Sequence, residues 1–248
     1  MGLISFENEI TELVQAIVKD PFLHGLWLNT LSYLENCGAR KIASCEHPTA
    51  VKEEMLKHAS EEFRHAFYLK KQLGRINQHF EDYRRSYLLG GWPAYHYLNA
   101  LDLYSFRYLQ SLKLDPSARK ELAYLLVTYA IELRAAELYP LYHSQLIKEH
   151  SRVQVKSILL EEHEHLQEME SALSRIPMSS IHIENICRIE ANLFATWLVA
   201  CVEQIKEHRL ALRGRLPFHW TGSVRSSQRL FPMKWRCSNV QRHSKHGH

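Results

Sequence analysis

Apolar side chains recur at helical spacing along most of this chain, and no segment shows the strict alternation of a half-buried strand. One stripe reads Val51, Met55, Ala59, Ala66, Leu69, Leu73; another reads Val155, Ile158, Leu159, Leu166, Met169, Leu173. Breakers divide the pattern. Asp20-Pro21, Pro48, Gly74, Gly90-Gly91, Asp115-Pro116 and Pro177 fall between periodic segments, where a missing N–H or a free φ ends a helix. The spacing predicts helices over about 5–19, 22–46, 49–73, 92–113, 116–148, 152–175 and 180–213, with a polar connection over 74–91 and a kink at Pro140. The fold class is therefore all-α.

Two of these stripes are interrupted by the same pair of residues. Glu62 and His65 sit inside the first, Glu162 and His165 inside the second. Positions i and i+3 share a helix face, so each pair can close on one metal ion. The motif alone discriminates little: 16 His among 248 residues produce about one and a half Glu-x-x-His matches by chance, and two are present. The setting is more informative, because a buried carboxylate needs a compensating charge. A pair of buried Glu–His hydrogen bonds without metal is the plain alternative. Glu54, Lys57, Glu61 and Arg64 occupy a neighbouring face that reads as solvated, and Glu161, Glu164 and Glu168 point away from the second stripe.

A dinuclear site needs one more carboxylate from each partner helix. Glu35 lies in the stripe Leu28, Leu31, Gly38, Ile42, and stands 27 residues before Glu62 with the turn midway. An antiparallel hairpin brings the two to similar height. Before the second motif the candidates are Glu132 and Glu137. Arg119, Arg134 and Lys148 lie near Glu137 and favour Glu132 as the inward residue; Glu137 keeps the better spacing to Ser151. His58 falls one turn before Glu62 on the same face and is read as a supporting or alternative ligand, as is whichever of Glu132 and Glu137 is not the ligand.

Glu35, Glu62-x-x-His65, Glu132 and Glu162-x-x-His165 resemble the ligand set of the ferritin-like di-iron carboxylate superfamily, over roughly residues 20 to 175. The resemblance implies a ferritin-like four-helix bundle of two antiparallel hairpins with additional helices. It implies two iron ions, or a Mn/Fe or Mn/Mn pair, with Glu35 and Glu132 terminal, Glu62 and Glu162 bridging, and one His on each ion. It also implies O2 activation to oxidise a small organic substrate, with an electron-donor protein. No catalytic residue beyond the ligands is expected. Iron oxidation in a hollow shell, peroxide scavenging, or a non-enzymatic helical binding protein are the competing expectations.

Composition adds three points. The chain divides into a short N-terminal helix (1–20), a helical bundle domain (21–213) and a basic tail (214–248) that holds seven of the 31 Lys and Arg and none of the 27 Asp and Glu. Such a tail reads as disordered and is the only segment suited to nucleic acid. The five Cys form no C-x-x-C pair, which suits a reducing cytoplasm. The longest apolar run, Ala191 to Val202, is shorter than the roughly 20 residues that cross a bilayer; it reads as a packing face or a homodimer interface. Tyr95, Tyr97, Tyr104 and Tyr108 read as core aromatics, or as the wall of a pocket for an aromatic substrate.

Overall fold

The structure is a computed structural model that describes residues 4–45, 49–177 and 179–214. Among the described residues it contains seven α-helices and no strand: α1 (Glu7–Val18), α2 (Pro21–Cys45), α3 (Glu53–Gln72), α4 (Gly91–Gln110), α5 (Pro116–Lys148), α6 (Lys156–Ser174) and α7 (Ser179–Leu212). The all-α expectation holds. Pro48 and the basic tail from residue 215, with the nucleic-acid reading of that tail, lie outside the described residues.

The helix starts follow local chemistry. The Asp20 carboxylate accepts from the N–H groups of Phe22 and Leu23 at the start of α2. Asp115 does the same for Ser117 and Ala118, with Pro116 in the first helical position. α3 begins at Glu53, four residues beyond Thr49, and Lys52 precedes it without a side-chain cap. α5 continues across Pro140 to Lys148.

α2 pairs with α3 and α5 with α6, while α4 lies on α7 and α1 on α5. α3 and α6 face each other through charged side chains: Lys57 reaches Glu168 at 2.7 Å, and Arg64 holds both oxygens of Glu161. The main apolar core is built on Trp27, Leu69, Tyr142, Phe194 and Trp197. A second core is built on Leu101, Leu126, Met169 and Ile186.

The 73–90 connection is pinned at its end. Gly90 has φ 85°, its N–H donates to Gln204 Oε1 at 2.7 Å, and an added Cβ would collide with the Trp197 indole. Trp197 in turn donates to the Leu89 carbonyl at 2.9 Å. Gly90→Ala is therefore expected to cost at least about 1–3 kcal/mol, from the left-handed backbone and the clash together. Thermal melts of the two proteins check it; equal melting temperatures would refute the tight packing.

α7 carries the C-terminal apolar run. It contains an 18-residue window apolar enough to cross a membrane by length and composition, with 44% of that window buried. Its buried face carries Glu190, 0% exposed, paired with Arg134 of α5 at 2.8 Å. That pairing places α7 as a core helix of the bundle.

Candidate metal centre

The ligand candidates converge from four helices. α2 supplies Glu35, α3 supplies His58, Glu62 and His65, α5 supplies Glu132, and α6 supplies Glu162 and His165. They form two groups. One donor atom from each of Glu35, Glu62, His65 and Glu162 lies within 4.8 Å of the others; the same holds for His58, Glu62, Glu132 and His165. Glu62 belongs to both. All these side chains are buried except Glu35, which is partly exposed where a cavity reaches it. Such groups can hold a metal ion.

The imidazoles are oriented crosswise. His65 Nε2 lies 2.7 Å from Glu161 Oε2, and His165 Nε2 lies 2.9 Å from Glu61 Oε2. Each carboxylate comes from the opposite helix. A carboxylate at Nε2 favours a proton on that nitrogen and turns Nδ1 inward, toward the glutamates. Those two Nδ1 atoms, with Glu132 Oε2 and Glu162 Oε1, are buried and have no hydrogen-bond partner. His65 Nδ1 is 3.0 Å from Glu162 Oε1 and 3.7 Å from Glu62 Oε2, and His165 Nδ1 is 3.5 Å from Glu62 Oε1. Four such atoms gathered in one buried cluster could be satisfied together by a bound cation. Hard carboxylate oxygens with imidazole fit iron or manganese.

Electrostatics agree. Burial, then the neighbouring Glu62 and Glu162 carboxylates, push the Glu35 carboxyl well above its ordinary range. Burial and Glu162 do the same to Glu132. Burial also opposes the charge of Glu62, but the neighbouring His58 and His65 imidazoles outweigh it and hold that carboxyl low. His65 is discouraged from protonation by burial, yet Glu162 and Glu62 raise it to about 12. The metal-free fold thus keeps protons on Glu35 and Glu132 that the unfolded chain releases above the ordinary carboxylate range. Its stability falls as pH rises through that range. A metal replaces those protons, so the gain in melting temperature on metal loading is expected to grow between about pH 5 and 8. A gain independent of pH would contradict this.

The alternatives left open by the spacing are separated by geometry. Glu132 enters the cluster. Glu137 turns away: it accepts from Ser5 Oγ at 2.6 Å and the Phe6 N–H at 2.9 Å, and pairs with Arg134. His58 joins the cluster, with Nε2 at 3.1 Å from both Glu62 Oε1 and Glu132 Oε1. Its ring lies 4.2 Å from that of His165. Glu61 and Glu161, expected on solvated faces, instead reach the ligand imidazoles. The signal for them was available in the doublets Glu61-Glu62 and Glu161-Glu162, each three residues ahead of its His. Losing such an outer partner typically costs about 10–100-fold in metal affinity. Glu161→Ala is expected to lie in that range by competition with a chelator, and wild-type affinity would dismiss the orienting role.

A cavity of about 470 Å³ opens between α2, α4 and α5 and ends at Glu35, Glu62, Glu132 and Glu162. Tyr97, Phe194 and Trp197 form part of its wall, and Tyr139 donates from its hydroxyl to Glu35. Of the four tyrosines expected in α4, Tyr97 is buried and reaches this wall. No family model, curated protein or solved structure matches this chain.

Proposed function

We propose that the chain is a dinuclear-metal oxygenase or oxidase that uses O2 to oxidise a small organic molecule, with α2, α3, α5 and α6 in a ferritin-like arrangement. The observation that carries this reading is the pair of donor groups sharing Glu62, with their orphaned atoms at the end of a largely apolar cavity. Two iron ions, or a Mn/Fe or Mn/Mn pair, suit the donor set. Four carboxylates balance two divalent charges, so the filled site is close to neutral. Glu35, Glu62, His65 and Glu162 would hold one ion, and His58, Glu62, Glu132 and His165 the other. The second position thereby gains an extra imidazole. When bound, the metal pair supplies the reductive activation of O2.

The protein's own part is geometric. Glu61 and Glu161 keep both ligand imidazoles in the Nδ1-inward form. Tyr139 steadies Glu35 and offers a proton beside the cavity. The apolar wall keeps water from the reacting end. A cavity of this size supports an organic substrate over simple iron oxidation, which needs only a path for ions. Free thiols at Cys37, Cys45, Cys187 and Cys201 suit a reducing cytoplasm. An external electron donor would be required for an oxygenase of this kind.

Full-length protein loaded anaerobically with ferrous iron is expected to retain about two ions per chain. On exposure to air with a reductant, O2 uptake should then respond to organic substrates. Folded protein that retains no metal would end the enzyme reading. Two ions with uptake indifferent to every organic compound tried would return it to iron oxidation.

A further inference from the structure

The two ends of the cavity differ in charge. Its inner end is ringed by Glu35, Glu62, Glu132 and Glu162, while Lys41, Arg119 and Lys120 stand at its mouth. Lys41 is neutralised by Asp102. Arg119 lies with its guanidinium 5.5 Å from the Phe106 ring centre, and neither it nor Lys120 has a carboxylate partner among the described residues. Both belong to the first turns of α5, whose N-terminal dipole adds to the positive potential. Between mouth and glutamates the wall is apolar, with Ala123, Val127 and Ile131 along α5. Arg119 and Glu132 are 13 residues apart on that helix, a rise of about 20 Å.

Resting on the oxygenase reading for its reacting end, we infer that this cavity receives an apolar molecule bearing one anionic group, a carboxylate or a phosphate. The anion is seated at Arg119 and Lys120, and the apolar body runs inward to the four glutamates. The opposite orientation would leave Arg119 and Lys120 facing the apolar end of the molecule, with no anion to pair. A cationic amphiphile would meet, at the entrance, two positive charges that have no carboxylate partner among the described residues. Arg119 can grip a carboxylate or phosphate with two parallel N–H donors, and the paired mouth steers anions toward it. The position of the anion then fixes which carbon of the body lies beside Glu35 and Glu132.

The test is calorimetric binding to the full chain as purified, with metal content measured on the same sample. The probes are decanoate, decyl phosphate, decanol and decylamine below their aggregation limits. The anions are expected to bind at least about tenfold more tightly than decanol, the value of one charge-assisted contact, and decylamine most weakly where bound metal neutralises the inner glutamates. The tighter of the two anions identifies the head group. Arg119→Glu with Lys120→Glu should erase the anion preference while leaving decanol affinity and metal content unchanged. The milder Arg119→Gln/Lys120→Gln pair should do so in part. Ala123→Trp should weaken decanoate and decanol alike. Equal binding of decanoate and decanol, or an anion preference that survives charge reversal, would overturn the inference. Because binding and metal content are separate readouts, absence of metal would sink the oxygenase reading without touching this one.

Discussion

Glu62→Ala is expected to leave the chain with almost no bound metal, whereas Glu35→Ala and Glu132→Ala should each lose about one of two ions. The asymmetry follows from sharing. Glu62 is the residue common to both donor groups, and its Oε1 lies near His58 and His165 while Oε2 faces His65. Removing it takes one donor from each of the two groups at once. Metal analysis of the three variants, beside circular dichroism to verify the fold, reads the outcome. If Glu62→Ala kept as much metal as wild type, the two groups could not be halves of one centre.

Glu190→Ala should be the most damaging single change away from that centre. Glu190 is 0% exposed and Arg134 4%. Arg134 Nε and Nη2 donate to its two oxygens at 2.9 and 2.8 Å, and the Tyr97 hydroxyl donates to it as well. The guanidinium also lies against the adjacent rings of Phe6 and Phe194. Truncating one member of such a pair leaves a buried charge uncompensated and costs about 3–5 kcal/mol. Glu137 still shares the arginine's charge, so the lower figure is expected, roughly 10 °C in melting temperature for a chain of this size. Replacing both partners, Arg134→Met with Glu190→Leu, should recover most of the loss. A single variant that melts within a few degrees of wild type would mean that water reaches Arg134.

How legible these features were in the sequence depended on whether one helix or several decide them. The helices themselves, and the inward placement of Glu35, Glu62, His65, Glu132, Glu162 and His165, follow from periodicity on single helices. Glu132 was favoured over Glu137 by the charges on its own helix, and the geometry places Glu132 in the cluster. Arg134 was read as facing away from the core, yet it is buried, because α1 and α7 cover the side of α5 that a lone helix would show to water. The partner of Glu190 is hidden for the same reason: it lies 56 residues away on another helix. Glu61 and Glu161 were assigned to solvent by their faces. Only about one-fifth to one-quarter of each is exposed, because each reaches across to the imidazole of the opposite helix, which the face of a single helix does not reveal. The role of His58 is set by where α5 and α6 stand relative to α3, which no spacing within α3 encodes.

The crosswise arrangement bears on timing during synthesis. Glu61 of α3 orients the imidazole of α6, and Glu161 of α6 orients that of α3. A nascent chain that has made only the first hairpin carries Glu35, Glu62 and His65 but lacks the carboxylate that presents His65 correctly. The later hairpin alone is deficient in the matching way. Neither half alone offers the full donor set, so on the proposed reading tight metal capture would wait for α6 to dock, after most of the chain has been made.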